Sequence, residues 1–181
     1  MKANVVLAMI LIGGCGFFSR SKSTFYSLDR IPPAAPMAAA SGLPVAIDAL
    51  ELPPGFDRRD IVVRKADHQL DVRGTEQWSA SLEAMVLHTL AFDLASRLPE
   101  GMVVLPGQAK PAGPMRSISV VVEEFSAGPD NVVTLDARWI LNQASHHERI
   151  TIDIASLGSA DVATGFSRAL ATLADRMAAQ L

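Results

Sequence analysis

From Leu43 onward the chain alternates between two hydrophobic periods, and those periods mark out its elements. Val45, Ile47 and Ala49 alternate with polar positions such as Asp48 until Pro53-Pro54-Gly55 breaks the run. Side chains two apart share one face of a strand, so this segment reads as a half-buried β-strand. Ile61-Val-Val-Arg64 and Gln69-Leu-Asp-Val-Arg73 flank Ala66-Asp67-His68 and predict a hairpin. From about Thr75 to Arg97 the period lengthens. Trp78, Leu82, Met85, Val86, Leu90, Leu94 and Leu98 recur at helical spacing, Glu83, Asp93 and Arg97 fall outside that stripe, and Pro99-Glu100-Gly101 stops the helix. A short strand near 102–105 and a Gly/Pro-rich loop over 106–114 follow.

The C-terminal half reads as a meander. Ile118, Val120 and Val122 alternate with Ser117, Ser119 and Val121. After the turn Gly128-Pro-Asp-Asn131, Val133, Leu135, Ala137, Trp139 and Leu141 alternate with polar residues. A second turn through Gln143-Ala-Ser145 leads to Ile150, Ile152 and Ile154. A last helix, N-capped at Ser159 or Asp161, carries Phe166, Leu170, Leu173, Met177 and Leu181 on one stripe. The expected fold class is α+β, a mainly antiparallel sheet covered by two long amphipathic helices in an α/β sandwich.

The amino end follows a different pattern. Lys2, the apolar run Val5 to Ile12, two glycines and Cys15, the only cysteine, form an export signal far shorter than the ~20 apolar residues of a spanning helix. Ile12-Gly13-Gly14-Cys15 resembles a lipobox, which implies a thiol carrying acyl chains at the first mature position. Three acyl chains, at about 0.8 kcal/mol per buried CH₂, would hold the protein at a membrane. Residues 1–14 are the expected signal peptide, 15–22 a lipidated tether, and 23–181 a single domain whose first strand is Thr24-Phe-Tyr-Ser-Leu28. The Ala/Pro-rich stretch from Ile31 to Pro44 reads as loop.

Charge and composition narrow the function. The chain has 16 basic and 19 acidic side chains, a formal charge of −3, and loss of Lys2 with the leader makes it −4, which argues against nucleic acid as a partner. No cofactor is expected. His146 and His147 are adjacent near a strand start and point to opposite faces, while His88 and His68 stand without a second ligand at useful spacing. There is no Gly-x-Ser-x-Gly elbow or phosphate-binding glycine loop, so the chain reads as no enzyme. The basic residues Arg58, Arg59, Arg64, Lys65 and Arg73 are interleaved with Asp57, Asp60, Asp67 and Asp71, a mixed-charge solvated face.

Tyr26-Ser-Leu28, Ile61-Val-Val-Arg64, Trp78-Ser-Ala-Ser-Leu82, Leu98-Pro99, Glu124-Phe125 and Trp139-Ile-Leu-Asn142 occur in an order and spacing that resembles the PqiC (YmbA-type) lipoproteins, auxiliary components of ABC-type transport. The resemblance implies a non-enzymatic part of an envelope lipid-transport system that maintains membrane integrity. Its implied partners are an MCE-domain tunnel protein and that protein's inner-membrane transporter. It further implies a homo-oligomeric ring, and anchoring at the periplasmic face of the outer membrane, since Gly16 is not the aspartate that retains lipoproteins at the inner membrane. The irregular loop with Phe56, Arg58, Arg59 and Asp60, and that from Leu105 to Pro114, are the expected contact surfaces; Trp78 and Trp139 are expected core anchors. Two other readings stay open. One is a lipopolysaccharide-assembly lipoprotein plugging an outer-membrane translocon, whose chains also begin like Gly14-Cys-Gly-Phe17; the other is a periplasmic enzyme or small-ligand binder.

Overall fold

The computed structural model describes residues 22–33 and 42–181. Ten elements build it: β1 (Thr24–Tyr26), β2 (Val45–Glu51), β3 (Asp60–Arg64), β4 (Leu70–Trp78), α1 (Leu82–Ala95), β5 (Val103–Val104), β6 (Arg116–Ala127), β7 (Val132–Leu141), β8 (Ala144–Asp153) and α2 (Ser159–Ala178). They form not one sheet but two, a three-stranded sheet in the order β1-β4-β3 and a five-stranded sheet in the order β5-β2-β6-β7-β8. The fold is mixed α+β, and the antiparallel character expected from the sequence holds for only half the strand pairs. β3–β4, β6–β7 and β7–β8 are antiparallel, whereas β1–β4, β2–β5 and β2–β6 are parallel. Parallel pairs join segments far apart in sequence, which local alternation does not reveal.

The meander forms as expected. Val133, Leu135, Ala137, Trp139 and Leu141 of β7 all point inward, as do Ile118, Val120 and Val122 of β6. The alternation breaks after Val122, where Glu123 bulges out of the ladder and moves Phe125 and Ala127 to the inner face. A similar irregularity at Asp48 corrects the reading of β2: Ala49 is exposed and Leu50 is buried. Asn142 and Gln143, with φ of 49° and 69°, make the tight β7–β8 turn, so β8 starts at Ala144 and the turn lies before Ser145.

The first helix is shorter than expected. Residues 75–78 belong to β4, where Glu76, Gln77 and Trp78 pair with Thr24, Phe25 and Tyr26 of β1. The helix starts only after Ser81, whose Oγ accepts the Ala84 N–H at 3.3 Å. Nor is α1 amphipathic in the way α2 is, because Asp93, placed by spacing outside the apolar stripe, is buried at 1% exposure, as is Arg97 just past the helix end at 3%. The second helix buries Val162, Phe166, Leu170, Leu173 and Met177 and is amphipathic as expected. Its N-cap is Gly158 and not Ser159 or Asp161; Asp161 lies in the first turn and accepts from Ser156 Oγ at 2.6 Å.

Both helices lie on one face of the five-stranded sheet, α1 against β2 and β5 and α2 against β7 and β8. The three-stranded sheet joins this layer through Trp78, which stacks on Phe166 at 5.7 Å, while Phe166 stacks on Phe125 at 3.9 Å. Arg73 secures the same junction by donating to Ser159 Oγ and the Leu157 carbonyl, each at 2.6 Å. The opposite face of the five-stranded sheet is open to solvent and carries the exposed Val121 and Ile140 beside charged residues. Among the described residues no helix is long and apolar enough to cross a membrane.

Candidate functional site

Cys15 and the segment 1–21 lie outside the described residues, as does the stretch 34–41. The contact loop expected at Phe56–Asp60 is present between β2 and β3 but is not uniformly accessible. Phe56 is buried beneath Arg64, whose guanidinium lies 5.5 Å from its ring centroid, and Asp60 begins β3. Arg58 and Arg59 remain exposed. Beside them a half-open cavity of about 490 Å³ is bounded by Phe56, Arg64, Lys65, His68, Leu70 and Pro129. Its cations already have partners, since Arg64 faces Glu124 at 3.6 Å and Lys65 faces Asp71 at 3.8 Å. The second candidate loop, 105–114, is tied to β2 by Lys110, which reaches Asp48 at 2.8 Å and, with Ser117, holds that carboxyl below its usual pKa.

The two tryptophans are buried. Trp78 is 2% exposed and Trp139 fully buried. Trp78 ends a strand instead of opening a helix. Trp139 stacks against His146 at 3.9 Å, and its indole N–H has no acceptor among the described residues.

The histidines diverge as the strand geometry requires. His146 faces the Trp139 side of the sheet and His147 the solvent side, so they share no ion. His147 is not isolated, however: its Nε2 lies 2.6 Å from Asp136 Oδ1, and Glu123, His147 and Asp136 each offer a ligand atom within 4.8 Å of the others. Sequence spacing concealed this group because its members come from three strands, and because the bulge turns Glu123 and Glu124 together toward Asp136. These three residues have donor types that fit a transition-metal ion. Arginines already engage both carboxylates, Arg138 on Glu123 and Arg149 on Asp136, each at 2.6 Å. Burial raises the Asp136 carboxyl, but the hydrogen bonds of His147 and Arg149 outweigh it and hold the group below its usual pKa. Chemically this is an ion-pair network on an open sheet face. It offers no nucleophile and no enclosed space for a substrate.

A third group ties the helices together. Arg97 donates through Nε to Asp175 at 2.5 Å and through Nη1 to the carbonyls of Asp93 and Ile31, joining α1, α2 and the segment after β1.

Three comparisons bear on this geometry. The family model for the ABC-type transport auxiliary lipoprotein component matches residues 26–178. A crystal structure of an uncharacterised protein superposes with a TM-score of 0.70 at 18% identity, covering 88% of this chain and 98% of that one. A Xanthomonas campestris protein of the DUF330 family superposes at 0.62 with 16% identity, covering 86% of this chain and 93% of the other. At such identities the likeness to solved structures concerns the fold alone. No curated protein matches the chain.

Proposed function

The chain belongs to the family of ABC-type transport auxiliary lipoprotein components, and from that premise we propose that it is a lipid-anchored periplasmic adaptor in an MCE-type intermembrane lipid-transport system. In this reading Cys15 carries the acyl chains and residues 1–14 are removed. The tether 15–22 then holds the domain within about 25 Å of the outer membrane, at ~3.3–3.6 Å per residue. The observation that carries the reading is the conjunction of a family match spanning 26–178 with a leader that ends in Gly13-Gly14-Cys15. Gly16, standing where an aspartate would retain a lipoprotein at the inner membrane, favours the outer membrane. The adaptor works through its surface, with the exposed Arg58 and Arg59 loop and the loop 105–114 as docking candidates for the tunnel protein or for further copies in a ring. It requires no cofactor and performs no chemistry of its own.

The test has two arms. Cys15→Ala should abolish incorporation of labelled palmitate and leave the unprocessed precursor, and continued labelling would overturn the anchor. Affinity capture from solubilised envelopes should recover an MCE-domain protein. Recovery of a lipopolysaccharide translocon barrel would instead support the alternative suggested by Gly14-Cys-Gly-Phe17.

A further inference from the structure

The segment Leu28–Pro33, which follows β1, crosses both helices as a strap. Asp29 N–H donates to Ser167 Oγ of α2 at 2.9 Å, and Ile31 N–H donates to Asp93 Oδ1 of α1 at 2.8 Å. Arg97 Nη1 returns a hydrogen bond to the Ile31 carbonyl at 3.0 Å, and the Arg30 guanidinium lies 3.4 Å from the Phe92 ring centroid. Beneath the strap, Asp93 is 1% exposed. One of its oxygens takes the Ile31 N–H, and Oδ2 has no hydrogen-bond partner among the described residues. The charges facing it are Arg97 in the turn just past the end of its helix, Asp175 on α2 and Arg30 on the strap. Arg97 spends its directed donors elsewhere, on Asp175 and on backbone carbonyls. A closed strap therefore seals in an under-partnered carboxylate, an arrangement that disfavours the charged form.

We propose that the 28–33 strap is a proton-governed clasp, closed over Asp93 when that carboxyl is neutral and loosened from the helix pair when it ionises. Burial is the largest cause of the Asp93 pKa being raised from 3.8 to about 6, against the opposing pull of the Ile31 N–H and Arg97. An open strap admits water to the carboxyl and returns it toward its ordinary value. The closed state thus binds the proton more tightly. The advantage this gives the closed state is complete below about pH 4 and is lost as pH rises through about 6. The direction is opposite to the one suggested by the single charge-assisted hydrogen bond, because desolvation outweighs it.

Loosening the strap leaves β1 held at a sheet edge by its three-residue ladder on β4, the Ser79 N–H bond to the Tyr26 carbonyl and its packing on α2. Where Cys15 bears the anchor, a consequence that rests on the reading above, the leash lengthens only if β1 then leaves the sheet edge as well.

Hydrogen exchange of the mature chain between pH 5 and 8, with intrinsic rates divided out, tests the clasp. Protection at residues 28–31 should fall about tenfold as pH rises from 5 and level off above about 6, while Leu170 and Leu173 in α2 stay more protected throughout. Asp93→Asn should flatten the dependence. A pH-independent strap, strap and core amides exchanging together, or an undiminished pH dependence in Asp93→Asn would overturn the clasp. Should the variant fail to fold, the carboxyl ¹³C titration of Asp93 in the native chain decides: an apparent pKa below about 4.5, the range of exposed carboxylates, overturns it. Neither readout involves the transport partner, so failure of the clasp and failure to capture an MCE protein are separate results.

Discussion

Among the described residues the Asp93 carboxyl accepts a single hydrogen bond, and it has almost no access to water, so its ionisation opposes folding. A group whose pKa is raised on folding contributes stability below its unfolded value and forfeits it as pH rises through the folded one. Asp93→Asn should therefore raise the unfolding free energy at pH 7.5, by at most about 3 kcal/mol for a shift from 3.8 to about 6 at ~1.4 kcal/mol per unit, and change it little at pH 4. Calorimetry at the two pH values checks both magnitude and sign. The tryptophans offer a second comparison. Trp78→Ala and Trp139→Ala should each cost about 3–5 kcal/mol in denaturant unfolding. Trp139→Phe should cost less than about 2 kcal/mol, since it also removes a buried N–H that has no acceptor among the described residues. The burial of Trp139 was legible in the alternation of β7, whereas Trp78 is buried at the end of β4 and not on the helical stripe its spacing suggests. The burial of Asp93 and Arg97 was not legible, because the strap and α2 that cover them come from segments some sixty to eighty residues away.

The elements that could be read from sequence are those whose neighbours are local. The β3–β4 hairpin and the β6–β7–β8 meander are set by turns and alternation, with Asp67, His68, Asn142 and Gln143 adopting the positive φ that tight turns require. Residues 75–78 carry a helical spacing yet sit in β4, where pairing with both β1 and β3 overrides local preference. The outward carboxylate cluster was hidden by the Glu123 bulge, which leaves no trace in a count of alternating positions. Packing between α2 and the sheet is close enough to test at one position. A Cβ on Gly165 would lie 2.6 Å from Ile154 Cγ2 and 2.7 Å from Val133 Cγ2. Alanine there gains up to about 1 kcal/mol in helix propensity but overpacks the interface by about 1–3 kcal/mol, so Gly165→Ala should be destabilising on balance. Adding Val133→Ala should recover part of the loss, and a double-mutant cycle in urea measures the coupling.

At the scale of the whole molecule, the described residues present an open pleated face and two surface loops, an anatomy suited to docking. A chain with His68, His88, His146 and His147 all changed to Gln should still capture the same envelope partner. The expected cost of losing the His147–Asp136 hydrogen bond is about 0.5–1.5 kcal/mol of stability, and loss of partner capture by a well-folded variant would argue against a purely adaptor role. The interleaving of the two sheets has a kinetic consequence. β2 is an apolar strand flanked by β5 and β6, and the partners of Val45, which are Val103 and Arg116, lie more than fifty residues downstream. Until those residues have emerged, both rims of β2 are bare, and the closures that pair it are long. Such topologies fold on the order of milliseconds to seconds, not microseconds. A chain ending after residue 114 would keep β2 with only the two-residue β5 beside it, and should be recovered as aggregate instead of as a smaller folded unit.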